Sequence, residues 1–428
     1  MSDWANIELR NIFDLSISGE WGDAPDGVND VYVLRAADFT KDCKLKANIG
    51  AARILPMDKL LQRKLVKGDL LLEKSGGSPT QPVGRVVYFD RVDDNYSLSN
   101  FLQLLRVSKK YDSQWVYYLL TALYDSNVVL RYQQQTTGII NFKLEEYLSE
   151  KIDIPVGLIE QQKIAKILST IDNLIEKTQA LIDKYISIKQ GMMADLFTRG
   201  IDLTAGPNYG KLRPNVEDAP ELYKETELGW VPNEWEVVAL ESIANVDRGK
   251  FTHRPRDDAK CYGGKHPFIQ TGSVTKAKGG FITEYKQTLS DFGRSVSREF
   301  SAGTIAVTIA ANIADTGILN IPMCFPDSIV GVNVDESKAL IRYVEITIRR
   351  NKQRLDAIAP LSAQKNINLE DLRPLKVALP NMAEQIEICS RYESNEKLIN
   401  KEKANLEKIK LQKKGLMQDL LTGKVRVN

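Results

Sequence analysis

Two long stretches of the chain carry apolar residues at alternating three- and four-residue steps. In the first, Ile164, Leu168, Ile171, Ile175, Ile182, Tyr185 and Met192 keep this spacing. In the second, Ile388, Tyr392, Ile399, Leu406, Ile409 and Leu416 keep it again. Lys, Glu and Gln crowd the positions between. Such a pattern predicts two long helices, each with one apolar stripe suited to a coiled-coil seam. Neither stretch contains an internal proline, while Pro155 and Pro380 stand just before each start, where proline is tolerated. Elsewhere the pattern is mixed. Val83–Phe89, Thr304–Ala310 and Ile329–Val334, rich in Val, Ile and Thr, read as strands. Ser113–Leu123 and Ala339–Asp356 read as helices. The stretch Thr204–Pro232, with its glycines, prolines and acidic cluster, reads as a linker.

The two helical stretches are copies of one another. Aligning Glu160 with Glu384 without a gap pairs Gln161 with Gln385, Lys177 with Lys401, Ala180 with Ala404, Lys184 with Lys408, Lys189 with Lys413 and Gly191 with Gly415. The duplication reaches upstream, where the segment Thr137–Glu145 has its counterpart in Ser362–Glu370. Trp4 with Leu9 likewise matches Trp235 with Leu240. Two duplicate helices in one register are expected to pair with each other; the competing expectation is that each packs on its own globular region. The fold class is therefore α+β and multidomain, two mixed α/β regions joined by two long helices, with an internal repeat. The expected boundaries are 1–154 for the first globular region, 155–200 for the first helix and 201–232 for the linker. The second globular region takes 233–379, and the second helix and tail take 380–428.

At 428 residues with 43% hydrophobic positions, the chain can bury several cores. No apolar run approaches the roughly 18 residues of a membrane span. The acidic N-terminal stretch lacks the pattern of an export signal, so a cytoplasmic location is expected. Cys43, Cys261, Cys324 and Cys389 lie far apart and form no C-x-x-C pair, which argues against zinc and against a disulfide framework. A net charge of only +2 means that any affinity for nucleic acid must come from local clustering of cations.

Such a cluster exists. Arg248, Lys250, His253, Arg254, Arg256, Lys260, Lys265 and His266 crowd a stretch with interleaved Phe251 and Tyr262, and Lys276, Lys278, Arg294 and Arg298 follow. Lys and Arg suit phosphates, and Arg with Asn or Gln suits base edges. Asp257 and Asp258 lie within the cluster, so a charge-balanced surface loop is the plain alternative. In the first region Lys41, Lys44, Lys46, Arg53, Lys74 and Arg85 are weaker candidates, of which Lys74 and Arg85 are kept as expected DNA contacts, with a flexible loop expected at Ser75–Gln81. Catalytic patterns are thin. No Pro-Pro dipeptide occurs, so the N-P-P-Y/F motif of adenine methyltransferases is absent, and no Gly-Lys pair is followed by Ser or Thr as a P-loop requires. Asp327, Glu336 and Lys338 mimic the spacing of a metal-dependent nuclease, a short pattern common by chance. Gly191 and Gly415 cost about 1 kcal/mol each inside a helix. They suggest close approach of another backbone, either the paired helix or a partner subunit.

In order and duplication, these features resemble the specificity subunits of type I restriction-modification systems. The residues that carry the resemblance are the P-x4-E-Q helix start at Pro155 with its near copy at Pro380, and G-W-x-P-x-x-W from Gly229 to Trp235. The run Gly303–Leu319 leading to Cys324–Gly331, and S-x-Q-x-N-I from Ser362 to Ile367, complete it. The resemblance implies two target-recognition domains, each reading half of a split site in double-stranded DNA, on helices paired antiparallel that set the distance between them. It implies no catalysis and no cofactor on this chain. S-adenosylmethionine would sit on two modification (methyltransferase) subunits docked on it, and ATP and Mg²⁺ on restriction (motor-nuclease) subunits that join to cut. No membrane partner is implied. A purely structural coiled-coil adaptor and an autonomous nuclease are the competing classes.

Overall fold

Each globular region closes on itself by pairing its first strand with its last. In the computed structural model, which describes residues 4–427 apart from 79, 93, 94, 136, 137, 311 and 360–365, Trp4–Glu8 runs antiparallel to Lys151–Pro155. Glu236–Ala239 pairs in the same way with Lys376–Leu379. In both copies the closing strand leads straight into a long helix: Leu158–Thr198, 41 residues, and Met382–Leu421, 40 residues. Thr137 and residues 362–365 of the upstream duplication lie outside the described residues.

The chain divides into two compact units, and the division falls inside both long helices. The first unit is 1–182 with 402–428, and the second is 183–401. Each therefore combines one globular region with part of each helix, where the spacing alone suggested separate spacer elements.

The first unit holds a four-stranded antiparallel sheet in the order Phe13–Ser18, Leu102–Val107, Leu70–Glu73 and Val86–Tyr88. Two three-stranded sheets accompany it: Ala51–Arg53, Val31–Leu34 and Tyr96–Leu98, then Gln133–Gln135, Ile140–Phe142 and Ser75–Gly76. The helix Ser113–Asp125 starts where the Asp112 side chain accepts the Trp115 amide at 2.8 Å, satisfying one of the orphan donors of a first turn. Its Trp115, Val116, Leu119 and Leu120 enter a core with Leu9, Ile12, Leu70 and Leu105. The same core takes Ile164, Ala165 and Leu168 from the start of the first long helix and Met417, Leu420 and Leu421 from the end of the second. A large apolar side chain, fully buried, contributes about 1.5–3 kcal/mol.

The second unit is built around a five-stranded sheet in the order Ala244–Arg248, Ile329–Val334, Ile305–Thr308, Thr316–Leu319 and Phe281–Ile282. A four-stranded sheet follows: Gln287–Leu289, Tyr262–Phe268, Met323–Phe325 and Arg298–Phe300. The single helix expected over Ala339–Asp356 is two, Ile341–Arg350 and Lys352–Ile358, because Asn351 leaves helical geometry between them. The first of these packs Tyr343, Val344, Ile346 and Ile348 with Leu196 and Phe197 of the first long helix and with Ile388 and Tyr392 of the second. The stretch 201–232 is more than a linker. Ile201 is buried and bridges to Leu212, and Tyr223–Thr226 forms a hairpin with Gly229–Pro232.

Within each unit the long helices run antiparallel. In the first, Asp172 Oδ1 meets Lys413 Nζ at 2.8 Å, while Ile164 shares a core with Leu420. In the second, Lys189 Nζ meets Glu396 Oε1 at 2.7 Å, while Leu196 shares a core with Ile388. Of the expected seam, Ile164, Leu168, Ile182, Ile388, Tyr392, Ile399, Leu406 and Ile409 are buried, and Ile171, Ile175, Tyr185, Met192 and Leu416 are half-buried. Gly191 and Gly415 are exposed, and a Cβ built on either would meet nothing within 4 Å among the described residues. The expected close approach of the paired helix at these glycines is not there.

Candidate nucleic-acid interface

The junction between each globular region and its long helix is made by one buried glutamine. Gln161 Nε2 donates to the Pro155 carbonyl at 2.8 Å, and its Oε1 accepts the Asp112 amide at 2.8 Å. Gln385 Nε2 donates to the Pro380 carbonyl at 2.9 Å, and its Oε1 accepts the Leu340 amide at 2.8 Å. Asp112 and Leu340 are the residues that open the helices Ser113–Asp125 and Ile341–Arg350. One amide thus ties the closing strand, the long helix and the helix of the globular region together, twice. Helix capping explains an acid at a helix start, but the glutamine's role needs the tertiary neighbours.

The neighbouring Glu384 is 1% exposed and holds a second clasp. It accepts from Arg213 at 2.5 and 3.1 Å, from Trp235 Nε1 at 3.1 Å and from the Ile201 amide at 2.7 Å. Gly200, in left-handed conformation at φ +65°, approaches Trp235 and Glu384 so closely that a Cβ there would clash with both. At the other end of the duplication Gly423 lies against Trp4 in the same conformation, and the Arg426 guanidinium stacks 4.8 Å from the Trp4 ring.

Against this frame the cations sort themselves by partner. In the first region Arg85 is 5% exposed and bidentate to Glu73 at 2.8 and 3.1 Å. It is a buried structural ion pair, and its reading as a surface contact is corrected: a charge this deep must be paired to be tolerated. Lys74 is half-buried with Nζ on Ser18 Oγ at 2.6 Å, and burial lowers its ammonium from the ordinary lysine range. Lys44 pairs with Glu176 at 2.5 Å, Lys46 donates to the Ala37 carbonyl and Arg53 stacks on Trp21, while Lys41 is exposed. The loop at Ser75 is held by the pairing of Ser75–Gly76 with Ile140–Asn141, and Pro79 in it lies outside the described residues.

In the second region the arginines and histidines are mostly occupied. Arg256 pairs with Asp327 at 2.6 Å, Arg294 with Glu299 at 2.6 Å and Arg298 with Asp247 at 3.1 Å. His253 meets Asp258 at 2.8 Å and His266 meets Asp291 at 2.8 Å. The Lys260 amide and then His253 hold the Asp258 carboxyl below its ordinary range; His266 and then Lys265 do the same for Asp291. Arg248 donates to the Asp327 carbonyl, and Arg254 to the carbonyls of Phe251 and His253. Lys250, Lys276 and Lys278 are exposed and make no ion pair among the described residues. Lys260 and Lys286, the latter absent from the sequence candidates, share that state.

Lys276, Lys278 and Lys286 line one groove of about 1090 Å³ with Phe268, Gln270, Phe281, Tyr285 and Gln287. A smaller recess of about 390 Å³ continues from Phe268, Gln270 and Gln287 toward Phe251, Arg256 and Tyr262. Gln270 and Gln287 escaped the sequence reading because nothing local distinguishes them. They are brought together by strand pairing that sets Phe268 opposite Gln287, and Gln270 Nε2 then reaches Gln287 Oε1 at 3.2 Å.

Nothing here assembles the nuclease pattern. The Asp327 carboxylate is taken by Arg256, and Lys338 lies with Asp335 at 3.4 Å. No group of three or more metal-ligating side chains occurs among the described residues, and no helix among them is long and apolar enough to cross a membrane. All four cysteines are buried and free; burial pushes Cys43 and Cys324 up to about 11 and Cys389 up to about 12.

A duplicated α+β region, locked twice by the same amide to one of two paired helices and carrying in its second copy an open groove whose three lysines make no ion pair among the described residues, defines a class of recognition scaffold. The chain belongs to the family of type I restriction modification DNA specificity domains, whose pattern matches residues 1–184 and 232–411. It is similar to the putative type I restriction enzyme MjaX specificity subunit of Methanocaldococcus jannaschii, 24% identical over 99% of this chain and 94% of that one. It is also similar to the MjaVIII specificity subunit of the same organism, 28% identical over 77% of this chain and 74% of that one. In fold it matches the S subunit of a type I restriction-modification system from M. genitalium, with a TM-score of 0.56, 14% identity and coverage of 98% and 96%. A chain from a structure concerned with assembly and conformational transition of the type I R-M system matches at TM-score 0.56, 12% identity and coverage of 99% and 98%.

Proposed function

We propose that this chain is the DNA-recognition subunit of a type I restriction-modification complex, with no catalysis of its own. Each globular region reads one half of a bipartite target in double-stranded DNA. The paired helices set the spacing of the halves and dock two modification subunits, which carry S-adenosylmethionine and methylate adenine. Restriction subunits, carrying ATP and Mg²⁺, join the assembly to cut, and the complex works in the cytoplasm. The observation that supports this most directly is the duplicated glutamine junction, which makes each globular region and its helix one piece.

Bivalency gives the arrangement its physical point. Two weak half-site contacts on one chain act as one strong contact, because the second is intramolecular. A helix of 41 residues is about 62 Å long at 1.5 Å per residue. That is ample to set half-sites roughly one turn of DNA apart, about 34 Å.

Mapping methylated adenines across the host genome before and after deletion of the gene tests the reading. A motif split by a constant gap should lose its methylation. Exchange of residues 233–379 for the matching region of a relative should then change one half of the motif only. Loss of no motif, or change in both halves, would overturn the reading.

A further inference from the structure

The groove in the second unit carries a more specific statement, which rests on the function proposed above. We propose that Gln270 and Gln287 are a base-reading pair for an A·T base pair in the half-site of the second globular region, with Lys276, Lys278 and Lys286 neutralising the flanking phosphates.

The chemistry of the lining carries the argument. A glutamine side chain offers one acceptor and two donors in a plane, which matches the N7 acceptor and N6 donor of adenine in the major groove. Gln270 and Gln287 are both exposed, and each amide is bonded to the other at 3.2 Å. That bond fixes which end of each amide faces outward, leaving the Gln270 carbonyl oxygen and the Gln287 amino group free among the described side-chain contacts. One acceptor and one donor side by side complement the donor and acceptor of an adenine edge. Phe268 beneath them is 3% exposed and pairs in sheet register with Gln287, so the platform is part of a core and not a loose loop.

The charges point the same way. Lys276, Lys278 and Lys286 line the groove without an ion pair among the described residues, and Glu284 is the only acid in that lining. By contrast Arg256, Arg294, Arg298, His253 and His266 already face carboxylates, which offset their charge toward a phosphate. The Phe281 and Tyr285 rings, 63% and 41% exposed, offer apolar surface to a thymine methyl. A small-molecule pocket would enclose its ligand and bury its polar groups; this groove is open and its polar groups are wet.

The test uses the full chain assembled with its modification subunits and S-adenosylmethionine. Gln270→Ala and Gln287→Ala should each relax discrimination at one base pair of one half-site by roughly 5- to 150-fold, the span of one bidentate base contact. The other half-site should keep its preference and so serves as the control for folding. Gln287→Glu should shift that position from adenine toward cytosine, whose N4 amine needs an acceptor. Alanine at Lys276, Lys278 and Lys286 should weaken binding to all duplexes alike. It should also flatten the dependence of log affinity on log salt by about 0.9 for each phosphate that is no longer neutralised. Glutamine variants that keep the wild-type motif and discrimination would overturn the inference, as would a loss spread equally over both halves. A wild-type complex with no sequence preference would overturn the functional reading itself.

Discussion

Lys189 Nζ lies 2.7 Å from Glu396 Oε1, and the gapless alignment of the two helices turns that pair into Lys413 and Asp172, which lie 2.8 Å apart. The pairing is reciprocal: the copy of each lysine meets the copy of each carboxylate. In both cases a tyrosine completes the set, Tyr392 donating to Glu396 at 2.7 Å and Tyr118 to Asp172 at 2.7 Å. Two like helices laid antiparallel meet each such position twice, so one duplicated sequence supplies both contacts.

Glu396 gives the pair a pH dependence. Burial alone would raise its carboxyl, but Lys189, Tyr392 and Arg342 outweigh burial and hold it below the ordinary glutamate range. A depressed carboxylate stabilises the fold above the unfolded-state value, and that stabilisation is lost as pH falls through the folded one. Glu396→Gln should cost about 1.5–3 kcal/mol at neutral pH, and the gap to wild type should shrink below the ordinary glutamate range. Unfolding midpoints of both proteins across pH measure this; a gap that widens on acidification contradicts it.

Gln385→Ala should lower stability by about 1–3 kcal/mol, since it strands a backbone amide at Leu340 and a carbonyl at Pro380. Gln161→Ala should do the same at Asp112 and Pro155. Denaturant midpoints would fall in both variants. Exchange of the Leu340 amide hydrogen should quicken only in Gln385→Ala.

Arg85→Ala should act on stability and not on the sequence read. Removing the guanidinium leaves Glu73, 2% exposed, as a buried charge without its partner, at a cost of about 3–5 kcal/mol. Methylation by whatever folds should keep the wild-type motif. A changed motif at full stability would place Arg85 on DNA after all.

Gly191→Ala and Gly415→Ala should each stabilise the free chain by about 1 kcal/mol, because both sit exposed inside helices with open space where the methyl would go. Thermal melting of the isolated chain checks this. If the same variants assemble poorly with modification subunits, the glycines serve a partner's close approach.

The long helices were legible because a seven-residue repeat is a local property of the chain, and duplication made their shared register visible in Lys189 and Lys413. The strand Ile329–Val334 was equally plain, with β-branched Ile329, Val330, Val332 and Val334 and every residue but Asn333 buried. The hairpin within 201–232 was hidden by the glycines, prolines and acids around it, which signal turns whether or not strands pair between them.

By itself, then, the sequence determined two long helices in one register, two copies of one globular plan and the region where cations are dense; that the helices pair was decided by the tertiary structure. Tertiary structure alone also decided which cations are spent. Arg85 is consumed by Glu73 across 12 residues and Arg256 by Asp327 across 71, while Gln270 and Gln287, 17 apart, meet at a strand edge. Helical period is set by bonds between near neighbours in the chain. Charge pairing and amide contact depend on distance through space, which the order of residues does not display.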